Sequence, residues 1–294
     1  MGKIGERNYR RAQIDRMTLM PSAARISVRS TLQTRTAAHY DAYPFEFLTP
    51  KDEASIRDLQ PAPFRRFVDK QVKPAMTIAE IGCGPGRGTL FLVRKKIDLV
   101  AVDISYRSLL LARQRAPTAR FTLATNLSLP FANNRFDVVI SDGVIHHTPD
   151  PRASFAENIR ILKIGGSFYL GVYNKRGHYY YAYTFVGAPI RWLEKQAIGR
   201  LLIYSTMIPF YWLVHLLKSR GSRTWRGAVN FFYDYFITPR ASFHTYEAIQ
   251  TWADQEGLDL IEYDPSLGNV HVFVFKKKER QGSRRDSAQL LVVN

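Results

Sequence analysis

The sequence predicts an α/β fold in which a mostly parallel sheet carries helices on both faces. First, a short apolar strand at residues 77–81 leads through a glycine-rich loop into a helix. Second, another apolar strand, at residues 97–102, is followed directly by an acidic residue, Asp103. Third, further short strands alternate with helical patterns, which is typical of parallel α/β sheets. These further strands are predicted at residues 121–124, 136–141 and 167–173.

The glycine-rich loop contains Gly82, Gly84, Gly86 and Gly88, and a helical pattern starts at Thr89. Glycine allows the backbone to come close to a ligand, and the first turn of a helix offers free N–H groups. This order of strand, loop and helix favours a nucleotide-type binding site. The alternative is a tight turn that binds nothing.

Asp103 lies 21 residues after Gly82. In doubly wound folds an acid at about this distance accepts hydrogen bonds from the hydroxyls of a ribose. Its alternative role is to cap the helix that starts near Tyr106, a role that Ser105 could also serve. The spacing favours the ribose.

Five segments, taken in order, resemble a known family. The segment EIGCGPG at residues 80–86 is similar to the first motif of the class I S-adenosylmethionine-dependent methyltransferases. The whole set resembles the type 11, or ubiquinone/menaquinone methyltransferase-like, branch of that family. The resemblance covers roughly residues 75–173 and, more weakly, residues 242–276. The other four segments are LPF at 129–131, RFDVVIS at 135–141, GVIHHTPDP at 143–151 and RILKIGG at 160–166.

The resemblance implies a Rossmann-like sheet of seven mostly parallel strands with an antiparallel last strand, and S-adenosyl-L-methionine as cofactor. Thr125 and Asn126 stand where the family commonly has an acid that contacts adenine, although the Asn126 side-chain carbonyl or the local backbone could accept the same hydrogen bond. The residues that the resemblance places at the cofactor are Glu80, Gly82, Cys83, Gly84, Gly86, Asp103, Ile104, Thr125, Asn126, Leu127, Ser141 and Gly143.

The adjacent residues His146 and His147 follow the fourth predicted strand, at an edge of the sheet where ligands bind in open α/β folds. Either could act as a general base, because imidazole titrates near neutral pH; alternatively both only shape the loop. We expect no metal site, since adjacent histidines point apart and have no obvious further ligands.

The predicted contacts with the methyl acceptor are Tyr40, Tyr43, Tyr173 and Asn174. Tyr40 and Tyr43 lie in an aromatic segment that in the family often folds over the cofactor. The alternative for both is simple packing of an amphipathic helix.

The net charge of +17 is distributed unevenly along the chain. We predict a basic, flexible arm at 1–36, a core made of 37–173 and 242–276, a helical insertion at 174–241 and a basic tail at 277–294. Basic segments of this kind suggest contact with an anionic surface, although a solvated basic exterior is the alternative. The single cysteine, Cys83, rules out an internal disulfide and indicates a reducing, cytoplasmic compartment, with membrane association as a further alternative. An organellar targeting arm at the N-terminus is another alternative.

The insertion is rich in aromatic residues and contains an uncharged run of 17 residues at 201–217, with Pro209 near its centre. A membrane-spanning helix usually needs about 20 apolar residues. We therefore predict two short helices that form an apolar lid over the acceptor and contact an anionic membrane interface. The alternative is an ordinary helical hairpin that buries its own apolar face.

The predicted function is S-adenosylmethionine-dependent methyl transfer to a small, apolar, lipid-like or quinone-like acceptor. One alternative is an RNA methyltransferase that uses the basic segments to hold phosphates. Another is a cofactor-binding scaffold without activity. The glycine spacing and the later motifs do not favour a dehydrogenase. The methylated atom and the oligomeric state are left open.

Overall fold

The structure is a computed structural model that describes residues 31–45, 53–218 and 224–279. Most of the predicted N-terminal arm and C-terminal tail therefore lies outside the described residues. Within the arm, however, helix α1 (Thr31–Ala42) begins before residue 36. At the other end of the chain, the last strand continues to Lys277.

The core is one seven-stranded sheet with the strand order β3-β2-β1-β4-β5-β7-β6. Strands β1 to β5 are parallel, and β7 is antiparallel to both of its neighbours. This confirms the prediction of a mostly parallel sheet with an antiparallel last strand. The strands are β1 Thr77–Ile81, β2 Asp98–Asp103, β3 Arg120–Leu123, β4 Phe136–Asp142, β5 Leu162–Tyr173, β6 Leu258–Asp264 and β7 Val270–Lys277.

Helices cover both faces of the sheet, which is why the central strands are apolar along nearly their whole length. Ile78 of β1 packs with Phe67 of one helical layer, whereas its neighbour Ala79 faces the opposite layer with Phe155. The core helices are α2 Glu53–Asp58, α3 Ala62–Gln71, α4 Arg87–Leu92, α5 Tyr106–Arg115 and α6 Pro151–Ile161. A further core helix, which follows the insertion, is Tyr246–Gln255.

The sequence predicts a helix that starts at Asp150–Pro151 and ends at Gly165–Gly166; its start is confirmed, but its end is wrong. Helix α6 ends at Ile161, and Leu162 already pairs with Phe136 of β4. The next pair joins Val138 to Ser167, so residues 163–166 form a bulge in β5. Leu162 is fully buried, and burying this side chain favours the start of the strand at Leu162, before the two glycines.

The insertion is helical, as predicted, but its helices are longer than the pattern suggests. Its helices are α7 His178–Tyr181, α8 Gly187–Glu194, α9 Ala197–Leu202, α10 Ile208–Lys218 and α11 Trp225–Phe232, which makes Tyr246–Gln255 helix α12. Three π-helical turns extend these helices, at Ala182–Val186, Ile203–Met207 and Tyr233–Ile237.

The expected division of residues 201–217 into two short helices is wrong, because α9, a π-turn and α10 form one continuous helical segment through Pro209. The π-turn ends two residues before this proline. Where the i→i+5 hydrogen bonds of the π-turn change to the i→i+4 bonds of the α-helix, one backbone carbonyl is left without an N–H donor in the helix. Pro209 has no N–H to donate, so it is tolerated at this point.

The insertion has a small hydrophobic core of its own, built on Ile190, Ile203, Ile208, Phe232 and Tyr233. Much of its remaining apolar surface is exposed to solvent. Within the described residues, the segment Ala197–Val214 is long and apolar enough to cross a membrane by length and composition, with 17% of it buried inside the protein.

Candidate functional site

A cavity of about 460 Å³ opens at the carboxyl ends of β1, β2 and β4. Strands β1 and β4 are neighbours in the sheet but not in sequence, so their helices leave in opposite directions and open a crevice between them. The cavity is lined by the glycine-rich loop, by the end of β2, by α1 and by side chains of the insertion. The site thus lies where an open α/β sheet binds its ligands.

Asp103 ties the end of β2 to the glycine-rich loop. Its Oδ2 accepts a hydrogen bond from the Gly84 N–H at 2.8 Å, and its Oδ1 accepts one from the Ser105 N–H at 2.8 Å. Burial raises the pKa of Asp103 to about 6, while these backbone donors oppose the rise. The helix is capped by Ser105, whose hydroxyl accepts a hydrogen bond from the Ser108 N–H at 3.1 Å. Asp103 is therefore not needed as the cap, and the lone pairs of its carboxylate that face the cavity can accept hydrogen bonds from a ligand such as a ribose.

Two features at the cavity wall fit an adenosine-containing cofactor. Asn126 is buried and lines the cavity, yet neither its Nδ2 nor its Oδ1 has a hydrogen-bond partner among the described residues. A buried amide without a partner is costly, and an adenine edge could satisfy both of its atoms. At Gly84, which has a φ of +53°, an added Cβ would have no neighbour within 4 Å, so the backbone leaves room for a ligand.

Several of the residues predicted at the cofactor lie behind the cavity wall. The Glu80 carboxylate accepts a hydrogen bond from the Thr89 hydroxyl at 2.6 Å, and burial raises its pKa to about 8. Gly86 packs against the backbone of α5, and Ser141 is fully buried in β4. Leu127 likewise lies outside the lining, and its N–H donates to Thr125 Oγ1 at 3.3 Å. These residues can shape the loops that contact the cofactor.

Of the two candidate histidines, His147 lines the cavity and His146 does not. His147 Nδ1 lies 2.7 Å from the carbonyl oxygen of Arg240, so Nδ1 carries the proton of the neutral ring. Burial lowers the pKa of His147 to about 4, which makes it a weak base at neutral pH. His146 is fully buried, stacks on Tyr173 with ring centroids 3.6 Å apart, and accepts from the Tyr173 N–H at 3.3 Å.

The predicted acceptor contacts divide in the same way. Tyr40 and Tyr173 line the cavity. Tyr43 instead stacks on Tyr233 with ring centroids 4.0 Å apart, and Asn174 binds backbone groups such as the Gly268 carbonyl at 3.2 Å. The remaining predicted cofactor residues that line the cavity are Gly82, Cys83, Ile104, Thr125 and Gly143.

Helix α1 covers the cofactor end of the cavity. Gln33 Nε2 donates to Thr125 Oγ1 at 2.7 Å, and Asp41 Oδ1 accepts from the Ser105 hydroxyl at 2.6 Å. The sequence does not reveal the contribution of Gln33, because α1 shows no clear apolar stripe that would place its faces. α1 is thus bonded both to Thr125, which follows β3, and to Ser105, the N-cap of α5.

The insertion contributes Phe231 and Asp234 to the cavity, and neither is a sequence-predicted site residue. The one available signal is that Asp234 is one of only two acidic residues in the insertion and lies within an aromatic run. In the part of the chain that the structure describes, no group of three or more His, Cys, Asp or Glu side chains could hold a metal ion.

The sequence is similar to those of known methyltransferases. Residues 79–170 match the type 11 family model, described as a methyltransferase domain. The chain is 32% identical over 158 residues to the ubiquinone biosynthesis O-methyltransferase of Cereibacter sphaeroides, covering 51% of this chain and 60% of that protein. It is 37% identical over 112 residues to the probable tRNA methyltransferase 9B of Homo sapiens, covering 37% of this chain and 24% of that protein.

Among solved structures, the magnesium protoporphyrin IX methyltransferase of Synechocystis PCC 6803 with bound S-adenosylmethionine has a TM-score of 0.53 and 11% sequence identity. The match covers 85% of this chain and 99% of that one, which shows that the fold is shared. The chain spans only a quarter to three fifths of the length of the two curated relatives named above. The chain therefore carries, in residues 79–170, a methyltransferase domain of the type 11 family.

Proposed function

We propose that this protein transfers a methyl group from S-adenosylmethionine to a small, largely apolar acceptor. The observation that carries the proposal is that the glycine-rich loop and Asp103 line the same cavity as aromatic side chains from α1, β5 and the insertion. One part of this cavity suits a nucleoside, and the other suits a flat apolar molecule. Tyr40, Tyr173 and Phe231 supply aromatic walls to the second part.

The chain's own residues mainly bind and position the reactants. S-adenosylmethionine, when bound, supplies a methyl group already activated on a sulfonium. The loop at Gly82–Gly86 lies where it can hold the amino-acid end, Asp103 accepts hydrogen bonds from the ribose, and Asn126 pairs with adenine. Helix α1 and the insertion enclose the acceptor and exclude water, which favours a productive orientation.

Calorimetric titration with S-adenosylhomocysteine tests the cofactor site. We expect the wild type to bind, and we expect Asp103→Ala and Gly84→Val each to weaken binding at least about tenfold. Asp259→Asn is the matched control. Asp259 is an exposed acid on β6 that pairs with Lys278, and it does not line the cavity. No binding by a folded wild type would overturn the proposal and favour a scaffold role.

RNA as the acceptor is a second candidate, favoured by the net charge of +17 and by the similarity to a protein named probable tRNA methyltransferase 9B. An RNA acceptor requires phosphate contacts, so the affinity for tRNA would fall steeply and linearly on a logarithmic salt scale. Binding to tRNA that is unaffected by an increase in salt from 50 to 200 mM, or no binding at all, would exclude this candidate.

We further propose that the insertion rests on an anionic membrane surface. The residues that carry this proposal are large apolar side chains, each between 65% and 72% exposed. Four of them lie along α9 and α10. The insertion contains ten basic but only two acidic residues. Apolar side chains flanked by basic ones suit shallow insertion among anionic headgroups. The six side chains are Phe185, Trp192, Ile198, Leu201, Phe210 and Leu217.

Co-sedimentation with phosphatidylcholine vesicles, with and without phosphatidylglycerol, tests the membrane proposal. We expect binding only to the anionic vesicles, and we expect the double variant Leu201→Asp/Phe210→Asp to lose it. The matched control is Ile261→Asp, which changes a comparably exposed apolar residue on β6 of the core. A wild type that ignores anionic vesicles, or a double variant that binds like the control, would refute the membrane contact.

A further inference from the structure

Asp234 is an acidic residue that the insertion delivers into the acceptor part of the cavity. It lies in the π-turn Tyr233–Ile237, directly after α11, and its side chain lines the cavity. π-Turns inside helices are costly and are often found at functional sites. This turn changes the register at the residues that reach the cavity, so the local irregularity coincides with the placement of the acid.

The surroundings of Asp234 are aromatic and weakly polar. The Tyr40 hydroxyl donates to Asp234 Oδ1 at 3.4 Å, and the Tyr179 hydroxyl donates to the backbone carbonyl of Asp234, also at 3.4 Å. A third tyrosine, Tyr173 from β5, lies close enough that the charge of Asp234 contributes to raising its pKa. No lysine or arginine within residues 31–45, 53–218 and 224–279 forms an ion pair with Asp234.

Among the described residues, the Asp234 carboxyl group has one long hydrogen bond, from Tyr40, and no ion pair. Buried acids are normally paired with a cation or saturated with hydrogen-bond donors, because an isolated buried charge is costly. Burial raises the pKa of Asp234 to about 7, and the Tyr40 hydrogen bond only partly opposes the rise. A group that is half ionised near neutral pH is suited to accept a proton, more so than His147 with its lowered pKa.

We propose that Asp234 binds and deprotonates the methyl acceptor, and that the acceptor is a flat aromatic molecule whose reacting group is a hydroxyl. This inference rests on the proposed methyltransferase function and narrows its substrate class. The phenolic hydroxyl donates a hydrogen bond to the Asp234 carboxylate, while the ring lies among the tyrosines that surround it.

The proposed step transfers one methyl group to the acceptor and one proton to Asp234. The hydroxyl oxygen of the acceptor forms a new bond to the methyl carbon, and its proton moves to a carboxylate oxygen of Asp234. The bond between the methyl carbon and sulfur breaks, and its electron pair stays on sulfur, which leaves as the neutral thioether of S-adenosylhomocysteine. Asp234 then loses the proton to water when the methyl ether departs.

A hydroxyl fits this site better than an ammonium group. The carboxyl group of Asp234 is enclosed among tyrosines, and an ammonium beside it would bring a second charge into an apolar site. A phenol is neutral in solution, so it enters the cavity without the cost of desolvating a charge. Only its proton needs an acceptor, and Asp234 supplies one.

Binding of three matched naphthalenes to the S-adenosylhomocysteine-saturated protein tests this inference without any turnover. 2-Naphthol carries the hydroxyl, 2-methoxynaphthalene replaces its proton by a methyl group, and 2-aminonaphthalene carries an amine; their fluorescence reports binding. We expect Asp234→Asn to weaken 2-naphthol binding about tenfold or more and to change 2-methoxynaphthalene binding less than about twofold.

The pH dependence provides a second readout. In the wild type, 2-naphthol affinity should rise from pH 6 to pH 8 as Asp234 ionises, whereas in Asp234→Asn it should not change. Tyr40→Phe removes the hydrogen bond that lowers the pKa of Asp234, so the rise should move to higher pH. The groups that face Asp234 from the neighbouring elements are Tyr40, Tyr173 and Tyr179.

The outcomes separate this inference from the function on which it rests. If the wild type fails to bind S-adenosylhomocysteine, the proposed function itself fails. If S-adenosylhomocysteine binds but Asp234→Asn affects naphthol and methoxynaphthalene equally, or affects neither, only the role of Asp234 is overturned. A loss confined to 2-aminonaphthalene would replace the phenol by an amine and likewise overturn the inference as stated.

Discussion

Two glycines of the same loop, Gly84 and Gly86, should fail in different ways when each is replaced by alanine. Both have positive φ, +53° and +87°. At Gly84 an added Cβ meets nothing within 4 Å, whereas at Gly86 it would lie 2.8 Å from Cα and 2.9 Å from Cβ of Ala112 in α5. The two positions therefore share the conformational cost and differ in the space available.

The expected magnitudes follow from these contacts. An L-residue in the left-handed region costs about 1–2 kcal/mol, so Gly84→Ala should reduce the free energy of unfolding by about that amount. Gly86→Ala carries the same cost and adds overlap with backbone that cannot rotate away, which contributes about 1–3 kcal/mol more. At Gly84 the new methyl group instead enters the space left for the cofactor, so affinity for S-adenosylhomocysteine should fall at least about tenfold.

Urea unfolding, followed by circular dichroism, measures the first quantity, and calorimetric titration of the folded variants measures the second. Equal destabilisation by Gly84→Ala and Gly86→Ala would contradict the prediction about space. Wild-type affinity of Gly84→Ala for S-adenosylhomocysteine would contradict the second prediction, because the open space at Gly84 would then not belong to the cofactor.

Three further predictions concern the residues around this loop. The proposed role of Asp103 is to accept hydrogen bonds from the ribose hydroxyls, and burial raises its pKa to about 6, so S-adenosylhomocysteine affinity should fall as the pH is lowered from 7 to 5. Asp103→Asn should bind weakly and without this dependence, and a wild-type affinity that does not change with pH would contradict the role. Burial raises the pKa of Glu80 to about 8, above its ordinary value of 4.5, so the folded state favours the protonated acid and the wild type loses stability as the pH rises through this interval. Glu80→Gln should therefore gain in melting temperature relative to the wild type between pH 5.5 and pH 8.5, and a constant difference would argue against it. Gln33→Ala removes the hydrogen bond from α1 to Thr125, so hydrogen exchange in α1 should become faster and S-adenosylhomocysteine binding should weaken a few-fold; unchanged exchange would show that α1 is held by other contacts.

The sequence predicted the parts of the site that depend on local chain chemistry. The strand at Thr77–Ile81, the glycines after it and the acid at the end of β2 appear in the structure as the pattern indicates. These features are readable because a buried parallel strand must be apolar and a close backbone approach requires glycine. The sequence also indicates Ser105 as a cap, because an N-cap depends only on residues within the first turn of the helix.

Local patterns failed where long-range contacts decide the conformation. The glycines at 165–166 resemble a helix end, but pairing of Leu162 with Phe136 places them in a bulge of β5. Pro209 resembles a helix break, but the π-turn before it keeps the helix continuous. The histidines resemble general bases, but burial lowers the pKa of both, a consequence of surroundings that the motif does not contain.

The fold class and the positions of the glycine-rich loop and of Asp103 could be predicted from the sequence, because strand periodicity and glycine requirements act over a few neighbouring residues. The residues that complete the cavity come together only through tertiary packing. This packing brings Gln33 to Thr125 and Asp234 beside Tyr40, which is 194 residues away along the chain. Contacts at such separations arise from the packing of whole elements, and no local spacing of residues records them.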